Sequence, residues 1–254
     1  MSVKRREILK MMLGGAAASM FATSITSHAM AKPAIRAVAF DAFPIFDPRP
    51  IFALVEQLFP GKGKEFSNAW RTRQFEYQWL RALASQYVDF WQATEDALVF
   101  AARQLTLELS DQQRTQLMNA YLNLKPWPDV IPALKSLRDA DIQLIFLSNM
   151  THIMLNTNMY NSGLEGFFDH VVSTDSARTY KPDPKAYQLG LDTLNLKRDE
   201  IAFAAFAGWD VAGAKWFGYP TFWVNRVGFP LEELGVTPDG MGNSLDQLVD
   251  FVKA

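Results

Sequence analysis

Residues 35–40, Ile-Arg-Ala-Val-Ala-Phe, form an apolar run that stops at Asp41, and residues 51–123 then read as all-helical, without a strand pattern. A short continuous apolar stretch of this kind reads as a strand buried on both faces. From residue 142 onward such runs recur, at 142–147, near 170–173, at 201–206 and at 221–224. Helical patterns at 129–140, 184–194 and 211–217 separate them. Buried strands alternating with helices specify a doubly wound parallel sheet.

The segment between the first strand and the others has a different texture. Residues 51–59 are helical and end at Pro60-Gly61. In 64–86, Phe66, Trp70, Tyr77 and Leu80 recur at helical spacing. Residues 90–107 read as another amphipathic helix, and Ser110-Asp111-Gln112-Gln113 is a capping box that opens a further one. The expected fold class is therefore α/β: a doubly wound, Rossmann-like parallel-sheet core, 32–47 and 125–254, with an inserted helical cap, 48–124.

The first 31 residues are set apart from this fold. Lys4-Arg5-Arg6-Glu7-Ile8-Leu9-Lys10 precedes a moderately apolar run to about Ile25, and Ser27-His28-Ala29-Met30-Ala31 is a small-x-small cleavage pattern. That is the order of a secretory signal. The paired arginines resemble a bacterial twin-arginine signal, which implies export of a folded chain to the periplasm. An uncleaved N-terminal anchor is the alternative.

Composition excludes more than it identifies. The chain has no cysteine, so disulfides, thiolate metal sites and a cysteine nucleophile are ruled out. The 25 basic and 27 acidic residues leave no electrostatic footprint for nucleic acid. Residues 1–31 carry four basic residues and one acidic residue, so the remainder has 21 and 26, a net charge of −5. Any attraction for an anionic substrate must then be local. His152 and His170 have no serine–acid pairing nearby and read as structural.

In open α/β sheets, ligands bind beyond the carboxyl ends of the strands. Asp41 ends the first strand, Ser148 and Asn149 end the second, Lys181 lies in the loop after the third, and Asp210 follows the fourth. A single strand-end Asp is often only a helix cap. Two carboxylates, a lysine and a hydroxyl in this order point to a reaction centre.

The chain here resembles the haloacid dehalogenase superfamily, and within it the type II (S)-2-haloacid dehalogenases. The resemblance rests on Phe40-Asp41-Ala42-Phe43, on the twelve residues Trp70-Arg71-Thr72-Arg73-Gln74-Phe75-Glu76-Tyr77-Gln78-Trp79-Leu80-Arg81, and on Thr94-Glu95-Asp96-Ala97-Leu98. It continues through Leu147-Ser148-Asn149, Tyr180-Lys181-Pro182-Asp183, and Gly208-Trp209-Asp210 running into Gly213-Ala214-Lys215.

The resemblance implies roles. Asp41 attacks the α-carbon of a 2-haloacid and displaces halide, and water hydrolyses the resulting aspartyl ester. Lys181 supplies the positive charge that favours the ionised nucleophile. Arg71 meets the halide or the substrate carboxylate, Asn149 is a second halide contact, and Ser148 holds the carboxylate. Tyr187 lines the pocket and orients Lys181, while Asp210 pairs with Lys181 or positions the hydrolytic water. Phe43 and Trp209 present ring edges to an anion. No metal or cofactor is required, and the expected partners are a small 2-haloacid, the export machinery and, through the aromatic cap helices, a second copy of the chain. For several residues a plain structural reading stays open: Arg71 as a solvated surface residue, Tyr187 as packing, Ser148 and Asn149 as helix caps.

Phosphatases of the same superfamily use a second Asp two residues after the nucleophile as general acid. Phe43 occupies that place and cannot donate a proton, which favours a leaving group that needs none. Relative to the family pattern, Phe43, Pro44, Ile45, Ala205 and Ala207 replace polar or hydrogen-bonding groups. They imply a drier pocket. A dehalogenase with a shifted substrate range is the main reading; the alternatives are a binding protein or hydrolase with lost or altered turnover, and a Mg-dependent phosphatase.

Overall fold

The computed structural model describes residues 35–254, and the expected signal over 1–31 lies outside the described residues. Six parallel strands form one sheet. Strand β1 (Ala37–Phe40) lies between β4 (Gln143–Ser148) and β6 (Ile201–Ala205). Outside these are β5 (His170–Ser173) on one side and β7 (Thr221–Val224) then β8 (Gly240–Gly242) on the other, giving the order β5-β4-β1-β6-β7-β8.

Side chains alternate across a strand, and β1 shows what that does. Val38 and Phe40 pack on one face with Leu144, Phe146, Ala202 and Ala204. Ala37 and Ala39 pack on the other with Ile145, Leu147 and Phe203. Both faces of the central strand are dry, which explains the unbroken apolar run. Truncating a fully buried side chain such as Phe40 to alanine is expected to cost about 3–5 kcal/mol.

Helices α6 (Val130–Arg138), α7 (His152–Ser162), α8 (Pro184–Leu194), α9 (Gly208–Phe217) and α10 (Leu245–Lys253) flank the sheet. α10 has its buried Leu245, Leu248, Val249 and Val252 at helical spacing, though the alternation of strands and helices read from the sequence stops short of it; α7 and β8 carry no clear sequence signal. α7 spaces its buried Met154, Leu155, Asn158 and Met159 among polar residues, and β8 is Gly-Met-Gly.

After β1 the chain makes one short turn of helix, α1 (Ala42–Ile45), and then a two-residue strand, β2 (Phe46–Asp47). β2 pairs antiparallel with β3 (Lys125–Pro126). Between these strands run four helices: α2 (Arg49–Leu58), α3 (Gly63–Leu83), α4 (Phe90–Gln104) and α5 (Asp111–Ala120). α5 is opened by the reciprocal Ser110–Gln113 box.

α3 and α4 form an antiparallel pair held by polar as well as apolar contacts. The Trp70 indole donates to the Thr94 carbonyl at 2.9 Å, the Gln74 amide to the Thr94 hydroxyl at 2.6 Å, and Arg81 to Asp96 at 2.7 Å. Hydrogen bonds fasten this helical layer to the sheet side. Tyr87 donates to Asp175 at 2.9 Å, Tyr180 to the Val88 carbonyl at 2.6 Å, and the Trp79 indole to the Lys181 carbonyl at 3.3 Å.

Candidate active site

The carboxyl ends of β1, β4 and β6 converge beneath α3. Asp41 follows β1 directly and caps α1, accepting the Phe43 N–H at 3.3 Å. Its own N–H donates to the Ala204 carbonyl at 3.0 Å, which ties the residue to β6. Lys181 is fully buried. Its ammonium donates to Asp41 Oδ1 at 2.9 Å and to Asp210 Oδ2 at 2.5 Å. The other oxygen of Asp210 accepts from the Tyr187 hydroxyl at 2.7 Å.

Two carboxylates therefore share one ammonium in a dry setting. Removing one partner of such a cluster leaves an uncompensated buried charge. Burial pushes the Asp210 carboxyl up to about 6, against the pull of Lys181. For Lys181, burial works against the charged form, but Asp210 and Asp41 outweigh it and raise the pKa. Burial, aided by Asp210, lifts the Tyr187 hydroxyl well above its ordinary value, so this group acts as a neutral donor.

In front of Asp41 lies a cavity of about 810 Å³, walled by the core and by α2 and α3. Asp41, Phe43, Arg71, Ser148, Asn149 and Trp209 all line it. Lys181 and Asp210 stand behind Asp41, touching the cavity through it. The expectation that Tyr187 lines the pocket is corrected: this side chain is fully buried behind Asp210, outside the wall, and it meets Lys181 through that carboxylate.

Arg71 is exposed on α3 and its guanidinium lies 5.7 Å from the centre of the Phe229 ring. It has no acidic partner among the described residues, so its charge is available to an anion. The Trp209 indole N–H is buried at the wall without an acceptor among the described residues. Ser148 accepts the Met150 N–H at 3.2 Å, which leaves its hydroxyl proton to be directed elsewhere. Asn149 sits in a network: its Oδ1 accepts from the Lys181 N–H at 2.9 Å and from Thr174 at 3.3 Å, and its Nδ2 donates to Gln78 at 3.0 Å. Neither Ser148 nor Asn149 is the cap of α7; Thr151 is.

Several participants carried no separate sequence signal. Gln78 is buried on α3 and meets Asn149. The segment after β7 folds over the cavity mouth, placing Val227, Phe229, Leu231 and Glu232 on the wall. Arg226 holds it there, donating to both oxygens of Asp129 and to the Pro44 carbonyl, each at 2.8 Å. Only its distance from the other motifs hid it.

The donor set does not suit the magnesium ion that phosphatases of this fold hold. Both oxygens of Asp210 already accept hydrogen bonds, from Lys181 and Tyr187, the Lys181 ammonium stands between the two carboxylates, and Phe43 has no side-chain ligand while its carbonyl already accepts the Trp127 indole at 3.0 Å. The arrangement suits a carboxylate nucleophile at the floor of a largely apolar cleft, with an arginine to meet an anion.

Comparison with known proteins agrees with this geometry. A family model for haloacid dehalogenase-like hydrolases matches residues 23–218. The chain is 42% identical to haloacetate dehalogenase H-2 of Moraxella sp. (strain B) over 219 residues, covering 86% of this chain and 98% of that one. It is 41% identical to an (S)-2-haloacid dehalogenase of Pseudomonas sp. (strain YL), covering 85% and 94%. Among solved structures, the L-2-haloacid dehalogenase of Xanthobacter autotrophicus with chloropropionic acid covalently bound superposes with a TM-score of 0.80 at 32% identity, covering 87% of this chain and 99% of that one. On the match to the family model and on relatives of this identity and coverage, the chain belongs to the haloacid dehalogenase-like hydrolases.

Proposed function

We propose that this protein hydrolyses the carbon–halogen bond of short 2-haloalkanoic acids through an aspartyl ester on Asp41. The observation that carries this reading is the Asp41 carboxylate at the cavity floor, paired with Lys181 at 2.9 Å, with Phe43, two residues further on, at the cavity wall. An Asp41 oxygen attacks the α-carbon, a C–O bond forms, and the C–X bond breaks with its electron pair leaving on the halide. Water then adds to the ester carbonyl, the 2-hydroxyacid departs, and Asp41 is regenerated with loss of a proton. A halide leaves without protonation, so no acid is needed at Phe43. Arg71 and the N–H groups of Asn149 and Trp209 are the donors available to the halide and to the substrate carboxylate. The chloropropionic acid covalently bound in the Xanthobacter structure supports the same route.

The test is halide release from (S)-2-chloropropionate or a haloacetate without added metal, combined with intact mass in ¹⁸O-water. One label should enter Asp41 in a single turnover. No halide from any short 2-haloacid overturns the proposal, and phosphate release from a phosphomonoester only with Mg²⁺ would replace it. A second reading, an enzyme that forms the ester quickly and releases it slowly, is favoured by the apolar Ile45, Ala205 and Ala207 around the nucleophile. Ile45 and Ala205 are fully buried, and none of the three can orient a water.

We further infer that residues 1–31 export the folded chain through the twin-arginine route to the periplasm, on the order of basic, apolar and small-residue segments. Exposed Leu80 and Leu83 at the end of α3 support a homodimer. Cell fractionation with and without Arg5 and Arg6, and sedimentation, test the two.

A further inference from the structure

Lys181 is held at its ammonium by two acids, and its peptide is held by two further side chains, Asn149 and Trp79, of which the reaction scheme uses only Asn149. Its N–H donates to Asn149 Oδ1 at 2.9 Å, and its carbonyl accepts the Trp79 indole at 3.3 Å. Asn149 in turn donates from Nδ2 to Gln78 Oε1 at 3.0 Å. Gln78 and Trp79 are neighbours on α3, so one helix grips the lysine peptide from both sides.

The polarity of this chain is not free. A backbone N–H can only donate, so Asn149 must turn its oxygen to Lys181 and its NH₂ toward Gln78. Gln78 must then present its oxygen. A flip of either amide sets donor against donor. The Gln78 side chain is completely buried, and its own Nε2 has no acceptor among the described residues. A buried unpaired amide N–H is unfavourable for folding. An apolar residue of the same length would remove that penalty, so the amide is best explained by what its oxygen does.

We propose that Gln78 is a positioning residue. It fixes the Asn149 amide in the one orientation that receives the Lys181 N–H and leaves the second N–H of Asn149 for the halide in the cavity. The inference rests on the proposed dehalogenase reaction.

The experiment is a double-mutant cycle on the whole protein, with wild type, Gln78→Met, Asn149→Ala and the double variant. Three quantities are read: kcat/KM for halide release, product inhibition by added bromide, and Tm. Gln78→Met should lower kcat/KM about tenfold and weaken bromide inhibition by a similar factor, while Tm holds or rises. In the Asn149→Ala background the same substitution should change either quantity less than twofold. Equal losses in both backgrounds, or unchanged bromide inhibition, overturn the proposal. Gln78→Leu serves if the methionine variant does not fold. Absence of halide release by wild type would instead defeat the dehalogenase reading; bromide-dependent Tm shifts of wild type and Gln78→Met then still test the orientation of Asn149, and equal shifts overturn it.

Discussion

The Tyr187 hydroxyl donates to Oδ1 of Asp210 at 2.7 Å, while Oδ2 of the same carboxylate receives the Lys181 ammonium. The tyrosine thus acts on the lysine at one remove. Tyr187→Phe should leave the fold intact at a cost of about 1.5–3 kcal/mol, the range for a hydrogen bond to a charged group. The lost donor had favoured the ionised form of Asp210. The acid limb of the kcat profile should therefore move to higher pH, measurable by halide release across pH 5–8 in overlapping buffers.

The pH dependence of the native enzyme follows from the same group. Burial raises Asp210 from 3.8 to about 6. Its ionised form holds the ammonium, so activity should fall as pH drops through about 6. Stability has the opposite sign for this group. The folded-state pKa lies above the unfolded one, so between about 6 and 3.8 the folded state binds the extra proton, and this contribution grows as pH falls. Asp210→Asn should remove that component, visible as a changed slope of unfolding free energy against pH in denaturant titrations.

Replacing the nucleophile should abolish the reaction while sparing the cavity. Asp41→Asn keeps a hydrogen-bonding side chain next to Lys181 but cannot form the ester. Halide release should drop by about 10³-fold or more, with no adduct in the intact mass. An unchanged rate would move the nucleophile elsewhere.

Arg71 offers a charge that no acid among the described residues pairs with. Arg71→Ala should reduce kcat/KM by roughly 10²-fold, since a lost ionic contact to substrate is worth a few kcal/mol. Tm should shift little, because the side chain is exposed and unpaired by acid. Arg71→Lys, which lacks the planar fork, should recover only part of the loss.

Ester hydrolysis can be separated from ester formation at Ala207, a wall residue just before α9. Ala207→Asn introduces a polar group beside the nucleophile and should speed decay of the covalent adduct by about tenfold by holding the attacking water. Adduct formation should be little affected. Rapid-quench mass measurements follow the two phases separately.

Much of this site was legible in the sequence because each strand announces its own end. Asp41, Ser148 and Asn149 end apolar runs that read as buried strands, and Lys181 and Asp210 lie in the loops after two more, so their convergence followed from the parallel sheet. Gln78 was not legible in the same way. On an amphipathic helix a glutamine reads as the wet face, and only the fold shows that α3 buries it against Asn149. Tyr187 was expected on the pocket wall but is buried behind Asp210, since spacing along a helix does not tell how deep a side chain lies. β8 and the two-residue strands β2 and β3 escaped because their ladders are too short for alternation to register.

β2 and β3 nonetheless have a consequence for how such proteins diversify. Phe46 pairs with Pro126 and Asp47 with Lys125, so the chain leaves the sheet and returns to it through adjacent doorposts. Everything from α2 to α5 is inserted at that one paired entrance. A different helical cassette joined at the same two points would leave the order of the six strands, and Asp41 with it, where they are. The reacting end can stay fixed through descent while the chamber above it is exchanged.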